Sequence, residues 1–349
     1  MTKKLRGVAP TTPRAREHQV RSHPESSHRF CILGRVRGER QHGHQPMANK
    51  LSDANRKLIL RLLCEGNSIR STSRITGCKR DTIGRVILGF GNACAIMMDE
   101  VFRDLTLKHV EIDEVWSFVG KKQARLTVDE KRERHDIGDI YLWTCIDQKT
   151  KLIPSYLVGK RSADNARRLL VDLVSRLVLP GAGTADDHAF VRGEFRPVIQ
   201  ISTDGLAAYP EAIDLAFGPF AAHGVLIKQY RNAMMPYDPS EMVGTKREVK
   251  RGKISQWSIC TSHVERTNGT LRTFIKRMSR LTYAFSKKLE NHQAAIAMFI
   301  AYYNFVWRTR YPDKSGRPGT LRPPAAMMAG VVNRLWNFDV FYNEAIMYG

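Results

Sequence analysis

The stretch HVEIDEVWSFVG, His109 to Gly120, alternates its side chains as a β-strand does, and its reading decides the fold. Val110, Ile112, Glu114, Trp116 and Phe118 share one face, and Glu111, Asp113, Val115 and Ser117 share the other. Asp113 therefore sits in the middle of a strand. Downstream, a charged loop leads into IYLWTCIDQKTKLIPSYLVGK, read as two strands turning around Gln148 to Thr150, so that three strands make a meander.

The alternation then changes period. SADNARRLLVDLVSRLV, residues 162–178, carries a helix N-cap in Ser162 and an apolar stripe of Leu169, Leu170, Leu173, Val174 and Leu177. PVIQISTDG, residues 197–205, reads as a strand that ends at Asp204 and turns through Gly205; LAAYPEAIDLAFG reads as a helix and GVLIKQYR, residues 224–231, as a fifth strand. The order β-β-β-α-β-α-β-α predicts an α/β fold with a mixed five-stranded sheet flanked by helices. Residues 232–258 read as a polar, basic insertion, followed by helices over about 262–280 and 285–307, a Pro/Gly-rich tail and an aromatic-rich end.

Upstream the pattern is all helical. LSDANRKLILRLLCEG offers Ser52 or Asp53 as N-cap and Gly66 as a stop; NSIRSTSRITG makes a short second helix closed by Gly77; CKRDTIGRVILGFG makes a third that buries Ile83, Val86, Ile87 and Phe90. Two helices joined by a tight glycine turn meet the requirement of a helix-turn-helix, with Arg80, Thr82 and Arg85 on the exposed face to reach base edges or phosphates. An ordinary helical bundle with a polar face explains the same periodicity. Residues 1–46 are rich in Lys, Arg and His without a sustained period and read as a disordered basic arm, with translation from Met47 as the alternative. The expected organisation is thus an arm (1–46), a helix-turn-helix domain (47–100), a catalytic domain (105–310) with a basic insertion (232–258), and a C-terminal extension (311–349).

Composition narrows the partners. The chain holds 56 Lys and Arg against 34 Asp and Glu, a net charge of +22 over 349 residues, which points to a polyanion and first to nucleic acid. The six cysteines form no C-x-x-C pair and no zinc-finger spacing, so they read as reduced thiols of a cytosolic protein. The longest apolar run, AAIAMFIAYY, is far short of the roughly 18 residues that argue for a membrane span. Trp116, Trp143, Trp257 and Trp307 are expected in the core or in packing positions, not as base-stacking platforms.

Against that basic background one acid stands out. Between Glu248 and Glu290 the only carboxylate is Glu265, in CTSHVERTNGTLRTFIKRMSR, residues 260–280. If the strands of Asp113 and Asp204 are parallel neighbours, their side chains come together, and two close carboxylates repel unless a cation lies between them. Glu265, in the first turns of its helix where the dipole favours a negative charge, is placed to complete an oxygen-rich Mg²⁺ site. Asp204 as a turn residue, Asp113 paired with a lysine and Glu265 as a dipole partner are the alternatives taken singly. Glu111, Asp139 and Asp147 are rival acids.

These pieces resemble the bacterial insertion-sequence transposases with a DDE active site on an RNase H-like fold. DEVWSFVGKK (113–122), STDGLAAY (202–209) and VERTNGTLRTFIKRMSRLTYAFSKKLE (264–290) carry the resemblance, and GTLRPPAAMMAG resembles the family's common ending. It implies that Asp113, Asp204 and Glu265 form the metal-binding triad, holding Mg²⁺ or Mn²⁺. It further implies a reaction that cuts and joins DNA without a covalent protein intermediate, on double-stranded element ends (terminal inverted repeats) and target DNA, by a cytoplasmic, nucleoid-associated homo-oligomer with no membrane association. Arg266, Asn268, Arg272 and Lys276 are expected to contact phosphates beside the scissile bond, with Lys121 and Lys122 as weaker candidates. The chain departs from the family in the 61-residue interval from Asp204 to Glu265 and in lacking a cysteine zinc motif before the helix-turn-helix. An RNase H-like nuclease or resolvase that does not join, and a non-catalytic helix-turn-helix regulator, are the rival readings.

Overall fold

The strand read at His109 to Val119 is β1, the hub of the sheet. In the computed structural model, residues 51–179, 198–231, 241–311 and 319–349 are described, together with the backbone of residues 190–191 and 194–195; the expected N-terminal arm lies outside them. Three helices lead in: α1 (Asp53–Cys64), α2 (Ile69–Thr76) and α3 (Arg80–Val101). Ser52 and Ser68 cap α1 and α2 by accepting the amides of Asn55 and Ser71. Gly77, at φ 70°, turns the chain into α3 in the left-handed conformation that glycine adopts without a Cβ penalty.

After β1, the short α4 (Val128–Glu133) carries a capping box from Thr127 and Glu130, and β2 (Gly138–Asp147), β3 (Tyr156–Gly159) and α5 (Ala163–Ser175) follow. A two-residue pair, β4 (Phe190–Val191) and β5 (Glu194–Phe195), stands apart from the main sheet. The sheet resumes with β6 (Ile199–Thr203), α6 (Tyr209–Phe217), β7 (Ala221–Arg231) and β8 (Glu241–Arg251). The chain ends through α7 (Ser262–Phe274), α8 (Leu289–Phe305), α9 (Ala325–Met328) and α10 (Phe338–Ile346).

The strand order is β3-β2-β1-β6-β7-β8, with β1, β6 and β7 parallel and the outer pairings antiparallel. This is the predicted mixed α/β sheet flanked by helices, with six strands where five were expected. The sixth, β8, lies inside the segment read as a polar, basic insertion. It is an edge strand that carries Lys246, Arg247, Lys250 and Arg251 and is mostly exposed on both faces, so no apolar alternation marks it.

Helices cover both faces of the sheet. On one, Tyr209 of α6 meets Trp143 of β2 edge-on with centroids 6.0 Å apart; on the other, Asn268 of α7 reaches Asp113 of β1 and Thr144 of β2. The helix expected over 262–280 stops at Phe274. Ile275 turns out of helical geometry and buries its side chain, and Arg272 donates to the Met278 carbonyl at 3.0 Å, closing a separate turn at Lys276 to Met278.

α3 runs on from Gly91, where the segment that predicted it ends, to Val101, about three further turns, and packs along α8. A Cβ added at Gly91 would collide with the Ala294 carbonyl, so only glycine permits the approach. α1, α3, α8 and α10 share buried residues of one hydrophobic cluster, including Ile59, Ile87, Phe299 and Phe341.

Candidate active site

In the parallel pair of β1 and β6, Ile112 lies opposite Thr203, so the next residues along the two strands are Asp113 and Asp204. Asp204 uses one oxygen for its own turn, accepting the Leu206 amide at 3.0 Å. Its other oxygen lies 3.8 Å from Arg161. The two aspartates are thus brought together at the centre of the sheet, as the sequence pattern required.

A third carboxylate joins them that sequence reading passed over. Glu114 follows Asp113 directly and so points to the opposite face, where its side chain is 2% exposed, accepts the Tyr209 hydroxyl and pairs with Arg161 at 3.1 Å. Asp113, Glu114 and Asp204 each present a carboxylate oxygen within 4.8 Å of the others. The signal was an acid set among Trp116 and Phe118 on an otherwise apolar strand face.

Glu265, on α7, lies outside that group of three, though its charge acts on Asp113. The helix is held there by Glu111, wholly buried on β1, whose carboxylate accepts the amides of His263 and Val264 at 2.9 and 3.0 Å and the His263 ring nitrogen at 2.6 Å. A carboxylate receiving the first amides of a helix satisfies both charge and hydrogen bonding. Glu265 lies in that first turn, accepts Thr261 Oγ1 at 2.6 Å and pairs with Lys228 of β7, also at 2.6 Å.

Burial raises the Asp113 carboxyl to about 6, with the negative charges of Asp204 and Glu265 adding to it and a backbone hydrogen bond and Lys228 opposing. Burial likewise lifts Glu114 to about 7, with Tyr209 and Arg161 working against it and Asp204 and Asp113 for it. A group of three carboxylates, two of them made harder to ionise by burial first and by their acidic neighbours second, offers oxygen donors that fit a hard divalent cation such as Mg²⁺ or Mn²⁺.

A pH dependence follows. Protons compete with a divalent ion for these oxygens, so Mg²⁺ or Mn²⁺ affinity is expected to rise as pH increases through about 6 and 7. Both acids sit above their ordinary values of 3.8 and 4.5, so the metal-free fold binds more protons than the unfolded chain between those limits. Their contribution to stability is present below about 4 and lost as pH rises through about 6 and 7. Melting curves at pH 5.5 and 8 with and without Mg²⁺ check this: Mg²⁺ should raise the midpoint at pH 8 and do little at pH 5.5.

The other expected contacts divide. Arg266 is exposed on α7. Asn268 shares the face of Glu265 but is buried, donating to Asp113 at 2.7 Å and accepting from Thr144 at 3.3 Å, which commits it to the carboxylate. Arg272 is tied to the Met278 carbonyl, while Lys276 is exposed beyond the end of α7. Arg80 and Arg85 of α3 line one cleft with Lys276, Arg277 and Lys288; Thr82 and Arg85 border a second depression with Tyr342.

Lys121 pairs with Glu130, and Lys122 lies over the Trp116 ring, 5.7 Å from its centroid. The rival acids have structural partners: Asp147 takes the Thr150 amide and hydroxyl at 2.7 Å, and Asp139 takes the Gln123 amide at 3.0 Å. Trp143 is fully buried as expected, but Trp257 is 86% exposed, with Arg247 beside its ring. It sits in a short turn after the edge strand β8.

Residues 226–306, which include Glu265 and α7, match the family model for the IS1 transposase. The chain is also similar to the insertion element iso-IS1n protein InsB of Shigella dysenteriae, 27% identical over 195 residues that span 56% of this chain and 95% of that protein. Both findings support a transposase of an insertion sequence, as the sequence motifs implied. No helix among the described residues is long and apolar enough to cross a membrane.

Proposed function

We propose that the protein is a DDE transposase on an RNase H-like sheet, binding the ends of its insertion element and catalysing metal-dependent DNA cleavage and strand transfer. The observation that supports this reading is the meeting of Asp113 and Asp204 at the centre of the sheet, with Glu265 in the first turn of α7 where its charge acts on Asp113. Asp113, Asp204 and Glu265 would hold Mg²⁺ or Mn²⁺, with Glu114 beside them. The ion supplies Lewis-acid polarisation of a phosphate and an activated oxygen nucleophile.

The chain's own residues do the rest. Asn268 orients the Asp113 carboxylate by a 2.7 Å hydrogen bond, and Thr261 fixes that of Glu265. Lys228 balances the charge of Glu265 and stands beside the acids, where an ammonium suits a DNA phosphate. Arg80, Arg85 and Lys276 line one cleft, so the helix-turn-helix segment and the end of α7 offer a shared path for duplex DNA. Thr82 and Arg266 are further DNA contacts in this reading, and the acting form on paired element ends is a homo-oligomer.

The test is a strand-transfer assay with labelled inverted-repeat DNA, target DNA and Mg²⁺. Joined product is the expected result. Cleavage with no joined product would assign a nuclease instead, and DNA binding indifferent to metal, with no cleavage, would assign a regulator.

A further inference from the structure

Strand β1 and the entry to α7 meet a second time, two residues before each catalytic acid. Glu111 precedes Asp113 on β1, and His263 precedes Glu265 in the first turn of α7, with Cys260 in the segment leading in. A Glu111 carboxylate oxygen, a His263 ring nitrogen and the Cys260 sulfur lie within 4.8 Å of one another.

The three donors differ from the oxygen-only group next door. Carboxylate, imidazole and thiolate together suit Zn²⁺ and its softer neighbours, which hard Mg²⁺ does not match. The carboxylate is also pre-oriented: its Oε2 takes the amides of His263 and Val264, leaving Oε1, 2.6 Å from His263 Nδ1, to face the other two donors. Glu111 is wholly buried, whereas Cys260 and His263 are partly exposed, so the cluster is reached from solvent on their side. The Cys260 sulfur is held in place by the Ser262 hydroxyl at 3.0 Å.

We infer that Glu111, Cys260 and His263 form a second metal site that takes Zn²⁺ in preference to Mg²⁺. Three protein ligands leave the fourth position to water or another exogenous donor. Binding releases the Cys260 thiol proton to solvent and requires the His263 tautomer protonated on Nε2. An ion here ties β1 to the start of α7 and so clamps together the two elements that carry Asp113 and Glu265. The inference needs no DNA and is independent of the reaction proposed above.

Co²⁺ is the probe, because a thiolate bound to it gives a near-ultraviolet charge-transfer absorption that carboxylates cannot produce. The full-length chain should develop this band to saturation at about one equivalent and lose it on addition of Zn²⁺ but not Mg²⁺. Cys260→Ser should abolish the band, while Cys78→Ser, which alters the other partly exposed thiol among the described cysteines, should keep it. His263→Ala should weaken Co²⁺ binding by about tenfold or more, the least expected for losing a ligand. Circular dichroism on each variant confirms that it is folded. Absence of the band in the folded wild-type chain, or its survival in Cys260→Ser, would overturn the inference.

Discussion

Glu265→Gln should lower DNA cleavage by about 10³-fold while leaving affinity for the element end within about threefold. The amide keeps the shape of the side chain and can still accept from Thr261 and Lys228, so α7 stays where it is. In the proposed site the loss is a negative charge on a metal ligand, and a loss of ~4 kcal/mol in transition-state stabilisation is the scale on which such an ion would act. The separation of the two readouts matters: a residue that merely held DNA would lose binding and cleavage together. A variant that cuts at the wild-type rate would show that the triad is misassigned.

Glu111→Ala should destabilise the protein by about 3 kcal/mol, seen as a lower urea midpoint with an unchanged slope. The substitution strips a buried acceptor from two helix amides and the His263 ring at once, and buried donors left without partners cost about 1–3 kcal/mol each before relaxation. Glu111→Gln should recover part of this, because its amide oxygen can still accept the amides of His263 and Val264. Cleavage by the folded fraction of Glu111→Ala should also fall, since the first turn of α7 carries Glu265. Equal stability of Glu111→Ala and wild type would mean that this carboxylate does not position the helix.

Much of this arrangement was legible in the sequence because it rests on periodicity. The alternation around Asp113, the strand end at Asp204 and the lone acid Glu265 in a basic helix are local patterns, and the parallel pairing of β1 with β6 brings the aspartates together as those patterns required. What was not legible depends on the third dimension. β8 is an exposed edge strand whose pairing with β7 is made by its backbone, so its charged side chains gave no apolar signal. Glu114 was hidden because strand alternation sends it to the opposite face, and only the position of Asp204 at the strand end lets both faces contribute to one group. Asn268 was placed on the correct helical face, but a polar residue on that face does not announce whether it meets a phosphate or a carboxylate; here it meets Asp113. Glu111 stood out only as a rival acid, since its partners lie more than 150 positions away.

The most direct test of a metal acting at the reacting phosphate is sulfur substitution. Element-end DNA is prepared with a phosphorothioate replacing a non-bridging oxygen at the scissile position, and cleavage by the wild-type chain is measured in Mg²⁺ and in Mn²⁺. Asp113, Asp204 and Glu265 acting through a bound ion predict slow cleavage of one sulfur diastereomer in Mg²⁺, restored in Mn²⁺, which accepts sulfur more readily. Cleavage of both diastereomers at the rate of unmodified DNA, whichever metal is present, would contradict it.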